Sequence, residues 1–326
     1  MTEPNALIRW TIFVFAGGGA GIFGAFSIAV TAMLIFFPGR KRAIRPFYIA
    51  AVLAIGMMFI ACGSLPMPIG LQFATMIYAI YAISPLRFRT ARITPPAIAP
   101  DADLPESRPG ISSSRWSLFL APFAWLLTLM AIELPFHLWF VPAEQVSRVM
   151  VIGDSVTAGL NDGEDTWPRQ LSRAAKVEIL DASQPGATIE SARKQNSMFS
   201  GQTGLVFIEI GGNDMLEGLP VAKFEKDFDK LLTDVVQPVR TVVMFELPLP
   251  PLCAAYGTAQ RRQAAKHRVR MIPKRLFATV LTTSGATVDG IHLSIKGQTL
   301  MTALVQSLFG ERLGSGMGQY RHFDRR

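Results

Sequence analysis

Four short apolar runs, residues 149–152, 177–182, 205–210 and 241–247, alternate with stretches of helical periodicity such as 221–236. Such alternation calls for a parallel sheet covered by helices on both faces, because each strand must cross back over a helix before the next can lie beside it. The expected unit is therefore one α/β domain over residues 147–310. Roughly 165 residues are enough to enclose a core of that kind.

The chemistry sits where these runs end. Gly153-Asp154-Ser155 follows the first, and Gly153 lets the chain turn tightly and expose a hydroxyl at a strand's carboxyl end. Gln184-Pro185-Gly186-Ala187 follows the second run, and Gly211-Gly212-Asn213-Asp214 the third. Near the end of the segment stands Asp289-Gly290-Ile291-His292, in which one loop can bring a carboxylate to one ring nitrogen and leave the other for a serine. Serine is a poor nucleophile until an imidazole takes its proton and a third group orients that imidazole. Acyl transfer also needs donors aimed at the oxyanion, for which a glycine N–H and an asparagine amide are suited. Taken singly, each block has a plainer reading. Gly-Asp-Ser alone is usually a turn with a helix cap, Asn-Asp after two glycines a common loop, and His292 a structural histidine like His137, His267 and His322. Asp154 and Asp214 are read as shaping their loops.

In this order the four blocks resemble those of the SGNH (GDSL) hydrolase family, over about residues 147–309. Gly153-Asp-Ser-Val-Thr-Ala-Gly159, Trp167-Pro168 and Asp289-Gly-Ile-His-Leu-Ser294 are most similar to its thioesterase I, lysophospholipase and arylesterase branch. The resemblance implies a flavodoxin-like three-layer α/β/α sandwich. It also implies Ser155 as nucleophile, His292 as base and Asp289 as its partner, with an oxyanion hole formed by the N–H groups of Ser155 and Gly186 and the side chain of Asn213.

The preceding residues have a different character. Half of the 326 residues are hydrophobic and only 17% are charged, with the apolar excess concentrated before residue 143. Residues 10–37 carry no charge over more than the roughly 20 positions that cross a bilayer. A cleaved leader is the rival reading, but the run is too long for one. Within it, Gly19-Ala-Gly21-Ile-Phe-Gly24 copies a dinucleotide-binding pattern without a preceding strand, so helix packing in lipid is the better account. A second apolar stretch is split by Gly63 to Pro68 into a hairpin over 47–62 and 69–84. A last segment covers 116–140, with Glu133 read as interfacial or bundle-facing. Residues 1–143 are thus expected to form an all-α transmembrane module of about four helices. Arg40, Lys41, Arg42 and Arg45, and then Arg87, Arg89, Arg92, Arg108 and Arg115, place the first loop and the linker 85–115 in the cytoplasm. The hydrolase then lies outside the cytoplasm, on what would be a bacterial inner membrane, joined by a short linker between residues 140 and 148. The helices are expected to act as an anchor only, and residues 311–326 as a flexible basic tail.

The formal charge is +8, and its densest cluster is Arg261, Arg262, Lys266, Arg268, Arg270, Lys274 and Arg275. It reads as a solvated helix and loop, or as a patch attracted to anionic headgroups or an acidic glycan. No recognition motif for nucleic acid accompanies it. Cys62 and Cys253 fall in different modules, and neither a metal site nor a cofactor is expected. The expected function is a membrane-embedded serine esterase acting on a small-molecule, glycan or lipid ester. The alternatives are an envelope-glycan O-acyltransferase using the same residues, and a non-catalytic scaffold of a membrane complex.

Overall fold

The computed structural model describes residues 145–323 apart from 162, 251–252 and 315–317, together with 6–16, 131–139 and a few isolated positions between them. Six parallel strands form one sheet: β1 (Arg148–Gly153), β2 (Glu178–Asp181), β3 (Gly204–Glu209), β4 (Arg240–Phe245), β5 (Arg270–Ile272) and β6 (Tyr320–His322), in the order β5-β4-β3-β1-β2-β6. The helices are α1 (Ala6–Phe15), α2 (Ser155–Ala158), α3 (Trp167–Ala175), α4 (Ile189–Ser197), α5 (Gly212–Leu216), α6 (Val221–Val235), α7 (Ala254–Lys266), α8 (Lys274–Thr282) and α9 (Ile295–Phe309). The first five strands follow the flavodoxin-like order, whose switch point lies between β1 and β3.

Because successive strand side chains face opposite ways, β1 feeds two cores. Met150 and Ile152 pack with Phe224, Phe228 and Leu231 of α6 and with Ile189 and Ala192 of α4. Val149 and Val151 pack on the other face with Trp167 of α3, Phe277 of α8 and Met301 and Val305 of α9. Phe207 is the hinge of that second core: its ring lies 5.2 Å from Phe309, 5.9 Å from Trp167 and 6.0 Å from Phe245. Complete burial of one such ring stabilises the fold by about 2–3 kcal/mol. The three layers expected from the apolar pattern are therefore present.

Both ends of the expected domain need correction. Residues 320–322 do not belong to a flexible tail, since β6 pairs in parallel with β2 through Ile179↔Tyr320, Leu180↔Arg321 and Asp181↔His322. The Tyr320 hydroxyl donates to Asp181 at 2.8 Å, and the Phe323 ring meets Phe199 at 5.9 Å. Glycine and arginine content concealed two aromatic anchors, and the outer edge of β2 supplies the unpaired backbone groups that recruit them.

Nor does the folded unit begin at residue 147. Leu134–His137 is a 3-10 turn, and Pro135 has no N–H with which to continue a helix, so the segment expected over 116–140 ends its helix by residue 133. The turn lies against the domain: Phe136 covers the Arg261 guanidinium at 3.7 Å, and Arg275 donates twice to the His137 carbonyl at 2.9 and 3.0 Å. Trp139 donates to the Leu308 carbonyl at 3.0 Å and sets its ring 5.6 Å from Phe309. These contacts bridge α7, α8 and α9. A fragment spanning 134–326 is therefore expected to outlast one spanning 147–326 in urea by about 2 kcal/mol, the order of one aromatic pair plus one cation–π contact. Equal unfolding midpoints would show that residues 134–139 contribute nothing.

The expected basic patch is divided between the surface and the interior. Arg261 and Lys274 are buried around Glu246, with Arg261 Nε 2.6 Å and Lys274 Nζ 3.6 Å from its Oε1. Arg262 pairs with Glu225 at 2.8 Å and Lys266 with Asp229 at 2.7 Å. Arg262, Lys266, Arg268 and Arg270 remain at the surface, as a solvated helix and loop would have them, and only Arg261 and Lys274 turn inward.

Residues 47–62, 69–84 and the linker 85–115 lie outside the described residues, as does most of 10–37. Among the described residues no helix is long and apolar enough to cross a membrane. What is described of the N-terminus is α1, which packs along α8 and buries Val14 and Ala16.

Candidate active site

Every block singled out above lies at the carboxyl ends of the strands. β1 ends in Gly153, where a Cβ would come within 2.7 Å of the Thr157 side chain, so only glycine permits the sharp entry into α2. Asp154 caps that helix, accepting from the Val156 N–H at 2.9 Å, and Ser155 opens it. The turn is also held from below by Gln195 of α4. Its amide accepts from the Gly153 N–H and donates to the Gly153 carbonyl, both at 3.0 Å, beside the bond that the Gln184 N–H makes to the same carbonyl. Gln195 is wholly buried, and a glutamine in the middle of a helix carries no signal in sequence for such a role.

The second catalytic element is the loop between α8 and α9. Asp289 Oδ1 accepts from the N–H groups of Ile291 and His292, each at 2.9 Å, closing a tight turn that Gly290 permits with φ of +100°. The loop is pinned at its base by the Val288 N–H bond to the His292 carbonyl at 2.9 Å, and beyond it by Ser294, which caps α9. The turn points Asp289 Oδ2 at His292 Nδ1, 2.5 Å away, while Nε2 of the same ring stands 3.0 Å from Ser155 Oγ. Partial burial pushes the Asp289 carboxyl up. The hydrogen bonds from the His292 ring and from the two N–H groups outweigh that and hold it below its ordinary value. Asp289, with its side chain 50% exposed, is thus held as a carboxylate.

The donors expected around an oxyanion are available. Among the described residues, neither the Ser155 N–H nor the Gly186 N–H has an intramolecular acceptor. Gly186 adopts φ of +70° with open space where a side chain would project. Asn213, in α5, donates one amide hydrogen to the Ala187 carbonyl at 2.8 Å, which fixes the amide next to the Gly186 turn and leaves its second hydrogen unused. Asp214 ties that helix to α4 by accepting from the Ile189 N–H at 3.0 Å, in keeping with a loop-shaping role. His267 pairs with Asp229 at 2.6 Å, away from the site.

Residues 151–300 match the GDSL-like lipase/acylhydrolase family. This part of the chain is a hydrolase of ester bonds. Among curated proteins it is similar to an arylesterase of Vibrio mimicus, 26% identical over 50% of this chain and 88% of that one. It is also similar to thioesterase 1/protease 1/lysophospholipase L1 of Escherichia coli K12, 25% identical over 55% and 84% of the respective chains. Among solved structures, the psychrotrophic esterase EstA from Pseudoalteromonas sp. aligns with 49% of this chain and 95% of its own at a TM-score of 0.45 and 19% identity. The matched segment contains all four blocks, from Gly153-Asp-Ser to Asp289-Gly-Ile-His.

Proposed function

We propose that the domain is a serine esterase that cleaves carboxylic esters through an acyl-enzyme. The observation that carries this reading is the continuous chain from Ser155 Oγ through His292 to Asp289, at 3.0 and 2.5 Å. Ser155 Oγ attacks the acyl carbon while its proton passes to His292 Nε2. Asp289 keeps the other ring proton on Nδ1 and stabilises the imidazolium that results. The carbonyl oxygen, now an oxyanion, is received by the N–H groups of Ser155 and Gly186 and the free amide hydrogen of Asn213. His292 returns the proton to the leaving oxygen as the tetrahedral adduct collapses, and a water repeats the cycle on the acyl-enzyme. The names of the two curated relatives, an arylesterase and a thioesterase/lysophospholipase, support an ester substrate.

The domain is held at a membrane by the residues before it, with the active site outside the cytoplasm. Apolar residues 17–37 and 116–133 remain long enough to span after α1 and the 134–139 turn are assigned to the folded domain. The packing of α1 on α8 supports this reading, since an outward-running last helix and cytoplasmic basic loops would require the N-terminus and the hydrolase on one side. One labelling experiment addresses both parts. A membrane-impermeant fluorophosphonate should modify Ser155 in intact spheroplasts that express the full chain, and should not modify the Ser155→Ala variant. Labelling only after lysis would put the domain in the cytosol. Absence of Ser155 labelling in lysate of folded protein would remove the nucleophile assignment.

A further inference from the structure

Glu209 ends β3, and its register partner on the neighbouring strand is Gly153. Its side chain therefore emerges beside Asp154, the residue ahead of Ser155. Both carboxyl groups are buried, Glu209 to 2% and Asp154 to 4% exposure, and they lie close enough for each to act on the other's charge. Asp154 Oδ1 accepts from the Val156 N–H, and Glu209 Oε2 accepts from the Thr157 hydroxyl at 3.1 Å. Thr157 is itself backed by the Trp167 indole N–H at 3.4 Å. Among the described residues no lysine or arginine makes a salt bridge to either carboxyl, and the titratable groups that face the pair are each other and His292. Two neighbouring carboxylates without a cation between them, out of water, would repel at low dielectric, and neither could supply the hydrogen for a bond between them.

We propose that Asp154 and Glu209 hold one proton between them at neutral pH, and that this acid–carboxylate bond ties the Ser155 turn to the turn carrying Asn213. Glu209 is then a positioning residue for the reaction, and the inference rests on the reading of Ser155 as nucleophile. The link is short on both sides: Ser155 follows Asp154 directly, and Asn213 follows Glu209 through Ile210, Gly211 and Gly212. Gly212 lies against the pair, since a Cβ there would stand 3.7 Å from Asp154 Oδ2. The attacking oxygen and the oxyanion donor are thereby held in one frame. The pair keeps its own proton throughout turnover, because the serine proton passes to His292, and its remaining negative charge faces the imidazolium as that forms. Burial, followed by the neighbouring Asp154 charge, pushes Glu209 well above the ordinary carboxylate range, and burial likewise raises Asp154.

A raised folded-state value has a definite sign. The unfolded chain releases the proton as pH rises through the ordinary carboxylate range while the folded chain retains it, so stability present at low pH is lost progressively above that range. Glu209→Gln can still donate to Asp154 and accept from Thr157 but cannot ionise. Its folding equilibrium should therefore gain on the wild type by up to about tenfold per pH unit above pH 5, until Glu209 ionises in the folded wild type. The infrared spectrum of the wild type at pH 7 should contain a buried carboxylic-acid C=O band that Glu209→Gln lacks. Glu209→Leu, which breaks the link, should lower kcat by about 10- to 100-fold with little change in KM, as for a positioning contact. Glu209→Gln should restore most of that loss. Absence of the infrared band in the wild type would overturn the proposal whether or not Glu209→Leu folds, and so would a folded Glu209→Leu with wild-type kcat. Fluorophosphonate labelling separates this from the nucleophile reading: an unlabelled Ser155 with the band present defeats the latter alone.

Discussion

Replacement of Ser155 by alanine is expected to lower ester turnover by about 10⁴-fold or more, and His292→Ala by a similar factor, with the fold unchanged in each case. Ser155 is buried at the start of α2, and its hydroxyl has one basic partner in reach, His292 Nε2 at 3.0 Å. Removal of either leaves the other without a function, because an unactivated hydroxyl does not attack at neutral pH and an imidazole without its serine has no proton to take. The double variant should consequently be no worse than either single one. Steady-state kinetics on a short soluble ester, with circular dichroism to establish folding, provide the check. A Ser155→Ala enzyme that kept a tenth of wild-type turnover would exclude Ser155 as the nucleophile.

Asn213→Ala is expected to lower kcat by about 10²–10³-fold and leave KM nearly unchanged. One hydrogen of its amide is committed to the Ala187 carbonyl at 2.8 Å, which orients the group, and the second is left for charge that exists only in the transition state. Loss of that donor should appear in kcat. A loss confined to KM would move Asn213 to ground-state substrate binding, and the oxyanion would then depend on the two backbone N–H groups. Asn213→Asp is an informative companion, since it preserves size but replaces a donor with an acceptor, and it should be at least as damaging as alanine.

The long-range organisation of the domain was legible because its rules are local and repetitive. Apolar runs at 149–152 and 205–210 announced buried strands, and the glycine-bearing block after each announced a tight turn at a carboxyl end, where open parallel sheets place their sites. The Asp289-Gly290-Ile291-His292 spacing was equally direct, because a three-residue offset with glycine inside it closes one turn and aims a carboxylate at a ring nitrogen. Those features depend only on residues adjacent in the chain.

Partners distant in sequence were hidden. Gln195 clamps Gly153 from 42 positions away, and Glu209 meets Asp154 only because β1 and β3 align Gly153 with Glu209. Within the basic cluster the burial of Arg261 and Lys274 was hidden because their counter-charge, Glu246, comes from another element. Residues 134–139 and 320–322 were assigned by composition to a membrane helix and a loose tail. Their burial was decided by what they meet, namely the Arg261 guanidinium, the Leu308 carbonyl and the open edge of β2. By itself the sequence determined the order of the chemical blocks along the strands and the α/β architecture, which follow from periodicity and short-range turn geometry, while the nucleophile, base and oxyanion candidates were what its resemblance to the SGNH (GDSL) family implied. Tertiary structure alone decided which charges are buried, where the folded unit begins and ends, and which groups hold the catalytic turns in register, because each is a pairing across the sheet or between layers that becomes defined only when the strands align.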